Sequence, residues 1–193
     1  MKRLGPGTAF LLVVFFVLGA LLVAYAWWTS PLLTAERALA EGRQQAAMDG
    51  FVAAERRFAR FGATRVLFAG EHATAVYNQL ALLYRTGDYD AVIERASTAP
   101  IGAAPRFWSG TALLGLASVE KKAETQLVWF TRAEEELRQA LQAAPDDWDA
   151  KFNYEIAARV LAEMRRQPKK KADMPIQLLR PQPAQGPAQR KVG

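Results

Sequence analysis

Residues Gln126 to Met164 read QLVWFTRAEEELRQALQAAPDDWDAKFNYEIAARVLAEM. Leu127, Phe130, Ala133, Leu137, Ala140, Leu141 and Ala144 recur at steps of three and four, the spacing of one buried helical face. Pro145 ends that helix: it disfavours a helical conformation at Ala144 and has no N–H to continue the ladder. Asp146 and Asp147 then offer capping oxygens and negative charge to a second helix. The apolar face expected for it is Trp148, Phe152, Ile156, Val160, Leu161 and Met164. Two helices joined by so short a connection fold back as an antiparallel hairpin.

Working upstream, Glu71 to Thr98 repeats this logic. Val76, Leu80, Leu83 and Tyr84 share a helical face, Thr86-Gly87-Asp88 makes the turn, and Tyr89, Val92, Ile93 and Ala96 form the next face. Arg106 to Val119 is rich in small residues and apolar enough to be a central helix, and Glu120 to Glu124 is a charged turn. Thr34 to Ala47 and Phe51 to Phe61 read as two further helices flanking a break at Asp49-Gly50. Gly62 to Gly70 has no clear period, and Val66-Leu67-Phe68 fits a short strand, a loop plug or a helix end equally well.

The N-terminus has a different character. Met1-Lys2-Arg3 precedes an uncharged run from Leu4 to Ala35, within which Ala9 to Trp28 is almost wholly apolar. Twenty helical residues span about 30 Å, the thickness of a bilayer's hydrocarbon core. Tyr25, Trp27 and Trp28 stand where amphipathic rings favour the headgroup zone. Ser30-Pro31 is expected to interrupt the helix as it leaves the membrane. Lys2 and Arg3 favour a cytoplasmic N-terminus, residues 1–8, with everything after Ser30 exported. The rival reading is a signal peptide cleaved after Ala24-Tyr25-Ala26, for which the apolar run is long. Ala20 and Ala24 have the small-xxx-small spacing that pairs helices in lipid.

The C-terminus differs again. The formal charge is +6, yet residues 165–193 hold eight Lys/Arg against Asp173, a net +7; subtraction leaves −1 for the first 164 residues. A basic tail on a near-neutral body does not make a protein-wide field for nucleic acid, and export argues against that partner too. Residues 167–193, with five prolines among glutamines and Lys169-Lys170-Lys171, read as a disordered tail, Ile176 to Leu179 being its one docking candidate.

Chemistry-bearing residues are sparse. There is no cysteine, which excludes disulfides, thiolate metal sites and cysteine nucleophiles. His72 is the single histidine, and a surface or capping role outweighs a triad or metal role that only carboxylates could complete. Asp146, Asp147 and Asp149 lack the glycine and closing glutamate of a calcium-binding loop. Glu134-Glu135-Glu136 reads as a solvated face, and no phosphate-binding glycine loop occurs. An exported hydrolase would need acidic pairs converging in a cleft, and no such spacing appears. The expectation is therefore no catalytic residue, no cofactor and no metal. Trp108, Trp129, Trp148, Phe152 and Tyr154 read chiefly as core, but Trp129 and Tyr154 stand off the main stripes of their helices and are candidates for a binding surface.

Asn78 to Glu94 (NQLALLYRTGDYDAVIE) resembles a tetratricopeptide repeat: an asparagine on the first helix, an aromatic before the turn, then Gly-Asp-Tyr-Asp opening the second. Ala140-Leu141, Pro145 and the following Asp-Asp-Trp-Asp-Ala-Lys-Phe-Asn resemble the junction of two repeats. The resemblance implies an all-α fold: a transmembrane anchor at residues 9–28, then a degenerate array of two to three TPR-like hairpins over residues 34–166. It adds Tyr84, Tyr89, Asn78 and Asn153 to Trp129 and Tyr154 as partner-binding candidates. More narrowly, the anchor, the short exported helical domain and the run Pro145 to Asn153 resemble the MxaK proteins of bacterial methanol-oxidation clusters. That resemblance implies a single-pass protein of the bacterial inner membrane with its bulk in the periplasm. Its partners would be a MoxR-type ATPase, von Willebrand factor A-type membrane proteins and a periplasmic methanol dehydrogenase whose calcium insertion it assists. A scaffold for another envelope assembly is the alternative from the residues alone.

Overall fold

The computed structural model describes residues 6–166, and among them it shows eight helices and no strand. The expected basic tail, and most of the cytoplasmic segment, lie outside the described residues. The described residues divide into two compact units, with the boundary between Ala75 and Val76 inside one helix.

The first unit holds α1 (Pro6–Ala40), α2 (Gln44–Ala59), α3 (Gly62–Leu67) and the start of α4 (Ala69–Thr86). α1 is long and apolar enough to cross a membrane, and its residues from Phe10 to Trp27 are exposed. Its length and composition fit a membrane span or a signal sequence. Beyond Trp28 the same helix packs on α2, where Thr29, Leu32, Ala35 and Ala38 are buried against Ala47, Phe51, Ala54 and Phe58.

Two breaks read from the sequence are absent. α1 continues through Ser30-Pro31, because the carbonyl that proline deprives of its N–H is supplied from elsewhere. Trp27 O accepts from Ser30 Oγ at 2.8 Å and from Arg57 Nη1 at 3.0 Å. Asp49-Gly50 is no turn either. It lies mid-helix in α2, where a Cβ on Gly50 would stand 2.7 Å from Ala35 Cβ, so the glycine permits a close helix crossing. The real turn is at Gly42, whose φ of +75° closes a Schellman motif: Gly42 N–H donates to Leu39 O and Arg43 N–H to Ala38 O. Val66 and Leu67 end the separate short helix α3, and Phe68 stacks among Tyr25, Trp28 and Phe58 with centroids 5.6–6.2 Å apart.

The second unit holds the rest of α4, then α5 (Tyr89–Ser97), α6 (Ala103–Val119), α7 (Ala123–Ala143) and α8 (Trp148–Arg166). The α4–α5 turn forms as expected. Gly87 has φ +78°, Asp88 N–H donates to Leu83 O, and the Asp88 carboxylate accepts from Ala91 N–H. α6 is central, packing on α5, α7 and α8, with Leu113, Leu114 and Ala117 buried among Phe130, Ala133, Leu137 and Ala140. Gly110 sits at the α6–α7 crossing: a Cβ there would lie 2.6 Å from Leu137 Cγ and 3.2 Å from its backbone nitrogen.

The α7–α8 hairpin forms around Pro145. Asp147 alone is seen capping α8, its carboxylate accepting from Ala150 N–H at 3.0 Å, while Asp146 is exposed. The expected faces need correction. On α8 the buried stripe is Ala150, Asn153, Ala157, Val160 and Leu161, and Trp148 and Phe152 point outward at 76% and 41% exposure. Small residues let α8 approach its neighbours closely, and the bulky aromatics would hold it away. On α7, Leu127 is 38% exposed.

Candidate functional site

The six residues singled out from the sequence fall into two groups. Tyr84 is buried, with its ring 5.5 Å from those of both Tyr89 and Trp108. Tyr89 is half-buried, and its ring fills the space above Gly115, where a Cβ would meet three ring carbons at 2.6–2.8 Å. These tyrosines join α4, α5 and α6, and Asn78 lies half-buried one turn or more earlier on α4. Asn153 is completely buried; its amide Nδ2 donates to Thr111 Oγ1 at 3.1 Å, and Thr111 in turn donates to Phe107 O. Tyr84 and Asn153 are therefore packed inside the second unit and help hold it together. Trp129 and Tyr154 rest half-buried on one core cluster, with the Arg132 guanidinium 5.4 Å from the Trp129 ring centroid.

The residues that stand free are ones the sequence reading placed inside. Trp148 and Phe152 are four apart on α8 and share its outer face, with Lys151 Nζ 4.9 Å above the Trp148 ring. The signal that finds them is the competing stripe Ala150, Asn153, Ala157, which has the same period and small residues suited to close helix packing.

A cleft of about 330 Å³ opens beside the α5–α6 connection, lined by Ile93, Pro100, Ile101, Arg106, Arg132 and Glu136. Arg106 Nη1 donates to both Glu136 oxygens, at 2.9 and 3.1 Å, so one cationic group there is already matched. Glu136 thus ties α7 to α6, and only part of the triple-glutamate run is a free solvated face. Its neighbour Glu135 is held below the usual carboxylate range, first by the hydrogen bond from Arg138 and then by that from Gln139. The hydroxyls lining the cleft are Ser97 and Ser109, and its one carboxylate, Glu136, is held by Arg106. Among the described residues no three His, Asp or Glu side chains converge as metal ligands.

The geometry thus offers an aromatic face on α8 and a small arginine-lined cleft. No family model, curated protein or solved structure matches the chain.

Proposed function

We propose that this chain is a membrane-anchored adaptor: α1 holds it in a bilayer, and the hairpins of the second unit present the outer face of α8 to another protein. The observation that carries the reading is the exposed pair Trp148 and Phe152. A tryptophan left 76% exposed on a well-packed helix contributes little to its own fold, and tryptophan is among the residues that dominate protein interfaces. The TPR-like reading draws support from element spacing: α4 starts at residue 69 and α6 at residue 103, a separation of 34 residues, the tetratricopeptide period. The long α7 delays the next start to Trp148, which makes the array degenerate.

The finer reading rests on the run Pro145 to Asn153, which forms the α7–α8 turn and carries Trp148, Lys151 and Phe152 outward. On this reading the partners are the von Willebrand factor A-type proteins and MoxR-type ATPase of a methanol-oxidation cluster. The adaptor works in the periplasm, where it assists calcium loading of the dehydrogenase.

The test is affinity capture of the tagged full chain from native membranes in mild detergent, comparing wild type with a Trp148→Ala/Phe152→Ala variant. Recovery of those partners by the wild type, falling about tenfold or more in the variant, is the expected result. Equal recovery by the variant would remove α8 from the interface. An unrelated assembly would replace the dehydrogenase reading with that of a scaffold elsewhere in the envelope.

A further inference from the structure

The first unit carries an apolar surface that its own core does not use. α3 buries no residue, and Phe61, Val66 and Leu67 are 54%, 77% and 76% exposed. Leu67 and Phe68 line one open apolar groove, about 520 Å³, together with Leu18, Leu21 and Leu22 of α1. At 1.5 Å per residue, Leu21 lies about 10 Å along α1 from Trp28, on the side of the apolar run. α3 therefore turns back alongside the hydrophobic stretch. It is fixed there: Phe68 stacks on Tyr25 and Trp28, and Tyr25 Oη donates to Glu71 Oε1 at 2.7 Å.

Three arginines stand beside this surface, with Glu71, held by Tyr25, as a carboxylate at its edge. Arg57 Cζ lies 5.1 Å from the Trp27 ring and 6.0 Å from the Trp28 ring, and Arg60 Cζ lies 5.5 Å from the Phe61 ring. Arg65 follows on α3 itself, and Arg57, Arg60 and Arg65 form no ion pair with the described residues. Guanidinium groups stacked on tryptophans at the end of an apolar helix suit the phosphate level of a bilayer, where they hydrogen-bond phosphate oxygens bidentately.

We propose that α3 is a wedge in the leaflet next to Trp27 and Trp28: Phe61, Val66 and Leu67 lie among phospholipid acyl chains, and Arg57, Arg60 and Arg65 hold the phosphates above them. The occupant of the groove is lipid, because two thirds of its lining residues belong to the membrane-crossing part of α1 itself. The inference rests on α1 being a retained span. Together, span and wedge attach the chain at two points, which limits tilt and rotation of the first unit at the surface.

The chain has no cysteine, so Leu67→Cys in the full-length protein creates a unique labelling site. A bimane label there is compared, in phospholipid vesicles, with labels on Leu22→Cys in α1 and on Gln44→Cys at the exposed start of α2. Lipids brominated on the acyl chain quench from within the bilayer, and iodide quenches from water. The expected result is acyl-chain quenching at Leu67 within about twofold of that at Leu22, and iodide quenching about fivefold or more below that at Gln44. Iodide reaching Leu67 as readily as Gln44, with Leu22 still in lipid, overturns the wedge and leaves the span intact. Protection of Leu67 from both quenchers overturns it in favour of a protein covering α3. Iodide reaching Leu22 overturns the span and the wedge with it. Val66→Cys, on the same turn, repeats the reading should a label at Leu67 disturb the groove.

Discussion

Gly110→Ala tests the central helix crossing, because intrinsic propensity and packing predict opposite signs. In an isolated helix the change stabilises by about 1 kcal/mol. Here the new methyl would stand 2.6 Å from Leu137 Cγ, 3.0 Å from Leu137 Cδ2 and 3.2 Å from the Leu137 backbone nitrogen, all inside ordinary van der Waals contact. Leu137 is fully buried, and its backbone nitrogen as well as its side chain is too close, so the α6–α7 crossing must open by a few tenths of an ångström. Overpacking of this kind costs about 1–3 kcal/mol, and the backbone clash places this site in the upper half of that range. The net expectation is destabilisation by about 1–2 kcal/mol. For a unit the size of residues 76–166 that lowers its Tm by about 5–10 °C. Thermal unfolding of the detergent-solubilised chain, followed by far-ultraviolet circular dichroism, reads the change. In a Leu137→Ala background, where the nearest side-chain atoms are gone, the penalty should shrink by about 1 kcal/mol or more. A rise in Tm on Gly110→Ala alone would refute the close crossing and the packing argument built on it.

Two further predictions concern local compensation. Arg57→Ala should destabilise the first unit by about 1 kcal/mol through loss of its hydrogen bond to Trp27 O, with about half that cost in a Pro31→Ala background where the helix supplies its own N–H; tryptophan fluorescence during unfolding reports it. Equal costs in both backgrounds would show that Arg57 does not compensate for the proline. The Glu120 carboxyl is held below its ordinary value of 4.5 chiefly by the Lys122 backbone N–H, with a second bond from Lys121 N–H. Its stabilising contribution is therefore complete above the unfolded pKa and disappears as pH falls through the lower folded value. Glu120→Gln should flatten the stability–pH curve below pH 4.5 and leave it unchanged in shape near neutrality, as urea midpoints across that range would show.

Much of this architecture follows from local chemistry and is legible in the chain. The α4–α5 turn needs Gly87 for a left-handed residue and Asp88 for a cap, and both requirements act within a few residues. Pro145 ends α7 for an equally local reason, and the apolar run of α1 declares its length without reference to any neighbour. The period of each amphipathic helix is local too.

What tertiary structure decided is the direction in which a periodic stripe faces, and whether a breaker breaks. On α8 two stripes share one period; Ala150, Asn153 and Ala157 are buried in the core shared with α6 and α7, and Trp148 and Phe152 are left outside it. That arrangement moved the candidate interface from Asn153 and Tyr84, which are buried, to the outer aromatics. Pro31 failed to end α1 because Ser30 Oγ, from the same turn, and Arg57, thirty residues away, both donate to the carbonyl it orphans, and Gly50 sits mid-helix where its missing Cβ makes room for Ala35. Local propensity costs a few kcal/mol at most, and a partner from a distant part of the chain can offset it. A residue's tendencies are written in its neighbours along the chain, but their outcome depends on its neighbours in space.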